Sequence, residues 1–392
     1  MTAIAGSLAG PSPSTVADVR DAIRDAIGQR RTVRIVGGGS WLDANRPVRA
    51  QSTLEVQRLS GIVEYEPGDL TLTARGGTTL DEIARATAAH GQWLALDPPG
   101  DPTRATLGAT VATASYGPLA HHFGTPRDMT LGVEMVTGVG DIVRGGGRVV
   151  KNVAGFDLTR LATGAWGTLG VLTEVTVRLR AIPAAQATVS IDVNTTAQSV
   201  EEARSALRRL PFTPLAAILV DRHAGANLQG AARGDVLLVR LGGNEAAVKA
   251  QRDQLRALGK VREGDEKVWP RLRTLEPSRA VSLRMSRLPS LIATTWLDAM
   301  RLVSGWDGGF CYADLGRGVA RVVLPLAGAP DEAKMSSLLE VAFDGSRIYE
   351  RLPDPLWNRL AAAANTSHIA RGIKTAFDPH TILNPGIFGE SQ

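Results

Sequence analysis

The sequence predicts an α+β fold in which a second domain is built on an antiparallel sheet. Between residues 145 and 180, two glycine-rich turns flank a short helical segment and lead into a strand whose apolar and polar residues alternate. After residue 184 the composition changes. The elements predicted there follow a β-α-β-β-α order, which fits an antiparallel sheet with helices on one face.

Length and composition set the broad class. The chain has 392 residues, enough for two or three domains, and 44% hydrophobic with 21% charged residues indicates a soluble globular protein. No window approaches eighteen consecutive apolar residues, and the N-terminal stretch lacks the features of a secretory signal. We therefore expect no transmembrane segment and a cytoplasmic location.

Charge and cysteine content narrow the partners. The net charge of +5 is spread along the chain rather than clustered, so we expect no nucleic-acid binding and a mild attraction for anionic small molecules or an acidic partner. Cys311 is the only cysteine, which excludes an internal disulfide and a cysteine-ligated zinc or iron–sulfur site within this chain. We expect no metal site.

The first third of the chain begins with a helix and a strand. Residues 15–27 predict a helix with a capping box at Thr15, and residues 32–36 predict a strand that runs directly into the loop Gly37, Gly38, Gly39 and Ser40. Such a loop can present several backbone N–H groups to a phosphate. No helix with GxGxxG spacing follows, which argues against a Rossmann unit. A plain turn is the alternative.

The next residues predict a hairpin at 61–74 and then a helix whose capping box is formed by Thr79 and Glu82. A strand is predicted over 131–135. Before that strand, residues 97–118 are rich in proline, glycine and small side chains. Small residues in series let a large ligand lie close to the backbone, although close helix packing explains the same pattern.

Beyond residue 184 the sequence predicts both strands and helices. The strands lie at 187–193, 215–220, 235–241, 281–285, 309–314 and 317–324, and the helices at 197–209, 244–258, 290–301, 332–343, 354–364 and 368–376.

Four motifs, taken in their order, resemble the FAD-binding family of the vanillyl-alcohol-oxidase type, also called PCMH-type. They are VGGGS at 36–40, TLGATVATASYGP at 106–118, VVKNVAGFDLTRLATGAWGTLGVLTEV at 149–175 and FDPHTILNPG at 377–386. Within that family the chain looks most like the E-type FAD-binding subunits of bacterial glycolate oxidases. The resemblance implies an FAD-binding domain at 1–183 with subdomains of about 1–60 and 61–183, an α+β cap at 184–345, and a C-terminal helical segment at 346–392 that returns to the FAD domain.

The resemblance also implies which residues contact FAD. They are Gly37, Gly38, Gly39, Ser40, Pro99, Gly100, Thr106, Leu107, Gly108, Thr110, Thr113, Ser115, Lys151, Asn152, Gly164, Gly167, Thr168, Gly170, Val171 and Asn384. The FAD should be non-covalent, because Ser40 and Trp41 occupy the place where the family tethers its flavin through a histidine.

The implied function is a flavin subunit of a glycolate oxidase-like complex that oxidises a small 2-hydroxy acid. Its partners would be a second flavin subunit and an iron–sulfur subunit, and the resemblance allows peripheral membrane association through them. However, the cap lacks a His-x-Gly-Asp-Gly-Asn-type motif, and the run from His223 to Asn227 imitates it poorly. Two alternatives therefore stay open: a self-sufficient flavoprotein oxidase or dehydrogenase acting on another alcohol or hydroxy acid, and a catalytically silent scaffold for complex assembly.

No catalytic base can be assigned from the sequence. Candidates for a carboxylate clamp in the cap are Arg271, Arg273, Arg284 and Arg287, with surface ion pairs as the alternative. His121 and His122 lie in a predicted loop, where a hydrogen-bonded or exposed histidine is the common finding.

Overall fold

The computed structural model describes residues 10–147, 157–194, 196–230, 234–328, 331–360 and 367–389. These residues form two compact units. The first unit draws on the described residues within 1–116, 124–182 and 361–392, and the second on those within 117–123 and 183–360. Two stretches thus group differently from the boundaries expected from sequence: residues 117–123 belong with the second unit, and residues 346–360 do so as well.

The helices of the described residues are α1 Val16–Gly28, α2 Leu80–Ala88, α3 Leu107–Ala112, α4 Ala120–Phe123, α5 Pro126–Met129, α6 Leu158–Ala162, α7 Ala197–Arg209, α8 Arg222–Gln229, α9 Glu245–Leu255, α10 Val268–Arg273, α11 Ile292–Ser304, α12 Glu332–Glu340, α13 Asp354–Trp357 and α14 His368–Phe377. The capping boxes expected at Thr15 and Thr79 are both present at the starts of α1 and α2. Each satisfies two backbone N–H groups that a helix start otherwise leaves unpaired.

The strands are β1 Val33–Val36, β2 Ser52–Glu55, β3 Ile62–Glu66, β4 Thr71–Arg75, β5 Gln92–Trp93, β6 Thr130–Thr137, β7 Ile142–Gly146, β8 Gly170–Arg178, β9 Arg180–Ala181, β10 Ala185–Val193, β11 Ala216–Val220, β12 Asp235–Gly243, β13 Val261–Gly264, β14 Ala280–Ser286, β15 Phe310–Asp314, β16 Val319–Pro325 and β17 Ser346–Arg351.

The first unit is built on a five-stranded antiparallel sheet in the order β3-β4-β8-β6-β7. A smaller parallel pair, β1 with β2, packs with α1 around a second core that also contains Ile382 and Leu383 from the C-terminal tail. Because Val33 pairs with Leu383, the tail lies directly beside β1. The loop that follows β1 lies against the segment before α3, because Arg104 donates to the carbonyl oxygens of Gly38 and Gly39.

The second unit is built on an eight-stranded antiparallel sheet in the order β13-β10-β12-β11-β15-β16-β14-β17. On β11, Ala217 and Leu219 face one core while Ala216, Ile218 and Val220 face another, which is the alternation of a strand buried on both sides. The larger core includes residues of α7, α9, α11 and α12.

Two expectations about this sheet need correction. Helices cover both of its faces rather than one, because α8 and α10 pack on the face opposite the larger core. The stretch expected to be a helical segment from residue 346 begins with a strand, because Ser346–Arg351 pairs with β14 and extends the sheet by β17. Among the described residues, no helix has the length and apolar character needed to cross a bilayer.

Candidate functional site

A cleft in the first unit brings together parts of three motif segments and the tail. Its volume is about 830 Å³, a figure that includes the open solvent at its mouth. Of the residues expected to contact FAD, those that line the cleft are Gly37, Gly38, Gly39, Ser40, Gly108, Thr113, Gly167, Gly170, Val171 and Asn384. The motifs thus converge in space although they are far apart in the chain.

The glycine loop after β1 forms one wall of the cleft. A Cβ on Gly38 would lie 1.9 Å from the carbonyl oxygen of Arg104, and one on Gly37 would lie 2.5 Å from Thr106 Oγ1. These close approaches require glycine, because any side chain would push the loop away from the segment before α3.

The same loop leaves its backbone donors unused. The N–H groups of residues 37–40 donate no hydrogen bond to any described residue. Backbone N–H groups in folded proteins nearly always find an acceptor in protein, water or ligand, and a run of them makes a concave anion-binding surface. The loop therefore fits the diphosphate of a flavin nucleotide, which would supply the missing acceptors.

Helix α3, from its first turn to its C-cap Thr113, forms the next part of the cleft. Gly108 and Thr113 line the cleft together with Ala109 and Ala112, whose small side chains leave room for a ligand. Gly108 also packs tightly against Gly76, since the Gly108 N–H donates to the carbonyl oxygen of Gly76 at 2.8 Å. The cleft floor is therefore mostly backbone and methyl groups, suited to a flat aromatic ring.

Several other expected residues of this segment support the cleft rather than line it. Thr106 is the N-cap of α3, and its carbonyl oxygen accepts a hydrogen bond from Thr110 Oγ1 at 2.9 Å. Both threonines and Leu107 are buried. The Ser115 hydroxyl lies 2.7 Å from Thr113 Oγ1. Ser115 therefore orients a hydroxyl whose residue does line the cleft.

The turn between α6 and β8 carries two successive left-handed residues. Trp166 has φ +52° and Gly167 has φ +69°. A bulky residue at positive φ is uncommon and needs support from its surroundings, which here comes from a bond of Trp166 N–H to the carbonyl oxygen of Ala112 at 2.8 Å. Gly164 and Thr168 lie in the same turn without lining the cleft, and Thr168 Oγ1 donates to the carbonyl oxygen of Ala165.

Asn384 ties three parts of the site together. Its Oδ1 accepts from Ile35 N–H at 2.8 Å, and its Nδ2 donates to the carbonyl oxygen of Trp166 at 2.6 Å. The residue is 6% exposed and has φ +44°, a conformation that asparagine tolerates better than most residues. The side chain of Asn384 thus joins β1 to the turn. Its Nδ2 keeps one further N–H and its Oδ1 one lone pair that can bind a ligand.

An ion pair between the half-buried Lys374 and the buried Asp378 fixes the tail that carries Asn384. Lys374 Nζ donates to Asp378 Oδ2 at 2.6 Å and to the carbonyl oxygens of Thr168 at 2.7 Å and Leu383 at 3.3 Å. The Asp378 carboxylate also accepts from Ile382 N–H and Leu383 N–H. The side chain of Asp378 is fully buried, so α14, the tail and the turn form one connected structure.

The remaining expected contacts fall into two groups. Pro99 and Gly100 lie behind Trp41, whose Nε1 donates to the carbonyl oxygen of Pro99 at 2.8 Å, and they do not line the cleft. Lys151 and Asn152 lie outside the described residues.

Among the residues of this region that sequence reasoning missed, four have large side chains at the cleft or the glycine loop. Arg34, Trp41 and Trp166 line the cleft, and Arg104 contacts the glycine loop through Gly38 and Gly39. Trp41 and Trp166 stand inside or beside recognisable motifs, so a search for large side chains next to glycine turns could have found them. The placement of the two arginines depends on chain folding, and no local pattern marks it.

His121 and His122, expected to be hydrogen-bonded or exposed, make hydrogen bonds within the second unit. His121 Nδ1 lies 2.8 Å from Asp314 Oδ1 in a mostly buried pair, and His122 Nδ1 lies 3.1 Å from the carbonyl oxygen of Thr213. Their contacts are those of structural side chains and identify no catalytic base.

Three of the four arginines considered as a carboxylate clamp form ion pairs. Arg271 pairs with Asp265 at 3.3 Å, Arg284 with Glu350 at 2.5 Å, and Arg287 with Asp298 at 2.8 Å. The ion-pair alternative therefore describes these side chains. In the described residues no group of three or more His, Cys, Asp or Glu side chains could hold a metal ion.

Comparison with known proteins identifies the class. Residues 11–146 match the family described as "FAD binding domain". A solved structure of p-cresol methylhydroxylase with bound substrate aligns with a TM-score of 0.73 at 16% identity, covering 97% of this chain and 88% of that chain. An alkyldihydroxyacetonephosphate synthase aligns with a TM-score of 0.68 at 16% identity over 95% of this chain and 76% of that chain.

The sequence relatives are hydroxy-acid enzymes and subunits. Glycolate oxidase subunit GlcE of Escherichia coli is 37% identical over 59% of this chain and 62% of its own length, and glycolate oxidase subunit GlcD of Bacillus subtilis is 30% identical over 55% and 47%. The D-2-hydroxyglutarate dehydrogenase of Xanthomonas citri is 26% identical over 97% of this chain and 89% of its own. The chain thus spans less than two thirds of the two glycolate oxidase subunits.

The chain has an α+β architecture and shares the fold of the p-cresol methylhydroxylase structure, and its residues 11–146 match an FAD binding domain. This match, together with the 37% identity to a glycolate oxidase subunit, confirms the FAD-binding resemblance drawn from the four motifs. Its cofactor is FAD.

Proposed function

We propose that the protein is an FAD-dependent oxidoreductase that oxidises the CH–OH group of a small 2-hydroxy acid, as the E-type flavin subunit of a glycolate oxidase-like complex. The observation that carries the proposal is the cleft itself, which is lined by small residues of the motif segments and by a glycine loop whose four N–H groups donate to no described residue. The 37% identity to a glycolate oxidase subunit supports the choice of substrate class.

The residues that line the cleft would hold the cofactor in defined places. The N–H groups of residues 37–40 would bind the diphosphate, while Gly108 and Gly167 leave the ring system unobstructed. FAD, when bound, supplies a two-electron acceptor. We propose non-covalent binding, because Ser40 and Trp41 lie beside the glycine loop and neither is a histidine.

The electrons need a route onward. The single cysteine of this sequence cannot supply the thiolates of an iron–sulfur cluster. We therefore propose a hetero-oligomer with a second flavin subunit and an iron–sulfur subunit, with any membrane association peripheral and through those partners. Relatives that are themselves subunits of glycolate oxidases support this arrangement. Cytoplasmic residence belongs to the same proposal, and cell fractionation tests it.

The test is an anaerobic titration of the purified holoprotein with glycolate and with D-lactate, followed by the visible absorbance of the oxidised flavin. The proposal expects bleaching only when the co-purified partner subunits are present. Flavin that no 2-hydroxy acid bleaches, with partners or without, would count against the oxidoreductase and favour the scaffold alternative.

One observation favours a second candidate. The D-2-hydroxyglutarate dehydrogenase of X. citri aligns over nearly the whole chain, so a self-sufficient dehydrogenase acting on a larger 2-hydroxy acid is the alternative. Bleaching by D-2-hydroxyglutarate without any partner, and none by glycolate, would establish this alternative in place of the subunit role.

A further inference from the structure

Two arginines hold the glycine loop by its carbonyl oxygens. Arg104 Nε donates to the carbonyl oxygen of Gly38 at 3.2 Å, and its Nη2 donates to that of Gly39 at 3.0 Å. On the strand before the loop, Arg34 Nη2 donates to the carbonyl oxygen of Leu42. Both guanidiniums therefore contact the acceptor side of the loop segment 37–42.

This arrangement separates the two kinds of backbone group. The carbonyl oxygens of Gly38, Gly39 and Leu42 are occupied by guanidinium donors, while the N–H groups of residues 37–40 donate to no described residue. The loop thus offers hydrogen-bond donors and positive charge together, which favours an anionic ligand. It disfavours a cation, and also an uncharged ligand with few hydrogen-bond acceptors.

The charge of the cleft lining is one-sided. Arg34 lines the cleft and is half-buried, and no acidic side chain is among the described residues that line it. Arg104 is more exposed and lies just outside the lining, next to Gly39, where a Cβ would lie 3.2 Å from its Nη2. A half-buried cation interacts with a nearby anion more strongly than a fully exposed one, because less solvent screens it.

We propose that Arg34 and Arg104 form a cationic bracket around the glycine loop that makes the cleft select nucleotides by their diphosphate. This inference rests on the proposed placement of the flavin nucleotide in the cleft. It goes beyond that placement by assigning diphosphate selectivity to two side chains rather than to the loop backbone alone. Arg104 acts mainly as a positioning residue, since two of its five donors hold the loop, whereas Arg34 also faces the ligand space.

Loss of the bracket should affect the binding of three ligands differently. FAD and ADP both carry the diphosphate, whereas riboflavin keeps the ring system and lacks any phosphate. Loss of a charge-assisted contact should weaken FAD and ADP binding at least about tenfold each and leave riboflavin binding nearly unchanged. The loss should shrink as salt is raised, because mobile ions screen the same charge.

The experiment uses the full chain stripped of flavin, titrated by calorimetry with FAD, ADP and riboflavin at low and high salt. The variants are Arg34→Met and Arg104→Met, with Arg34→Lys and Arg104→Lys as charge-preserving partners. Arg85→Met is the matched control, because Arg85 pairs with Asp81 at 3.0 Å on the exposed side of α2 and does not line the cleft.

The bracket expects Arg104→Lys to keep much of the salt-dependent ADP affinity and Arg104→Met to lose it. Unchanged ADP affinity in both methionine variants overturns the inference. So does an equal loss for riboflavin and FAD, because that pattern reports a collapsed cleft rather than a lost charge.

If the methionine variants do not fold, the wild-type salt dependence decides the question. ADP affinity that is insensitive to salt contradicts two cations at the diphosphate, and affinity that falls with salt supports them. A wild-type protein that binds neither FAD nor ADP removes the flavin site itself. Failure of glycolate to reduce the flavin would leave the bracket unaffected, so the two proposals fail separately.

Discussion

Replacing Asn384 with alanine should disconnect β1 from the turn at Trp166. The substitution removes the acceptor of Ile35 N–H and the donor to the Trp166 carbonyl oxygen, both within a residue that is 6% exposed. Leaving the Ile35 N–H without an acceptor costs about 2 kcal/mol, and losing the second bond costs about 1 kcal/mol. Alanine at φ +44° adds about 1 kcal/mol of backbone strain.

The expected sum is a loss of about 4 kcal/mol in the free energy of unfolding of flavin-free protein, measured by urea denaturation with circular dichroism. FAD affinity should fall as well, because Trp166 and Gly167 line the cleft and lose their tie to β1. Asn384→Gly is the matched variant: it removes the same bonds but accepts positive φ, so its loss should be about 1 kcal/mol smaller.

The reasoning is refuted if Asn384→Ala loses less than about 1 kcal/mol. That result would mean that the tail is held without the side-chain bridge. Alanine and glycine variants of equal stability would refute only the strain contribution.

Three further changes test other parts of the structure. Gly38→Ala should weaken FAD binding at least about tenfold, because its Cβ would lie 1.9 Å from the carbonyl oxygen of Arg104 and the loop must shift. Fluorescence titration measures the FAD affinity. Gly68→Ala is the control, because nothing lies within 4 Å of a Cβ at Gly68. Lys374→Met should destabilise the protein by about 3 kcal/mol, seen as a lower melting temperature, because it leaves a fully buried carboxylate unpaired. Asp221→Asn should flatten the pH dependence of stability between about pH 4 and pH 6, measured by urea denaturation across that range.

The sign of the Asp221 effect follows from its environment. Burial raises the pKa of Asp221 from 3.8 to about 6, so the folded state favours the protonated carboxyl. Its stabilising contribution is complete below about pH 4 and is lost as the pH rises through 6, an amount of about 3 kcal/mol for a shift of this size. Asparagine cannot ionise, so it removes this slope.

Each of these expectations has a contradicting result. Equal FAD affinity in the Gly38 and Gly68 variants would mean that the loop tolerates a side chain. A Lys374→Met protein that melts with the wild type would mean that the buried pair contributes nothing net. A pH profile of Asp221→Asn that parallels the wild type would place the titration elsewhere.

Local patterns allowed much of the fold to be predicted. The helix expected at 197–209 matches α7 residue for residue, because Thr196 caps its start and its apolar spacing is clear. β17 was missed, because its assignment depends on pairing with β14 about sixty residues earlier and its sequence, SRIYER, alternates weakly. The helices α8 and α10 were not predicted, and nothing local says which side of a sheet such a short helix covers.

The candidate site, like the fold, could be predicted from the sequence only in part. The glycine segments could be found because each carries its turn chemistry within a few residues. Arg104 and Lys374 could not be found, because Arg104 contacts the loop 66 positions away and Lys374 contacts Thr168 206 positions away. Asn384 was expected to reach the flavin, and its bridge between β1 and the turn at Trp166 emerges only in three dimensions.

The most direct test of the account is an equilibrium titration of flavin-free wild-type protein with FAD, followed by the quenching of tryptophan fluorescence. Trp41 and Trp166 line the cleft, so saturation at one FAD per chain should quench part of the emission, and Trp166→Phe should reduce that quenching. Binding of FAD with no change in tryptophan emission, or no binding at all, would contradict the placement of the flavin nucleotide against the glycine loop.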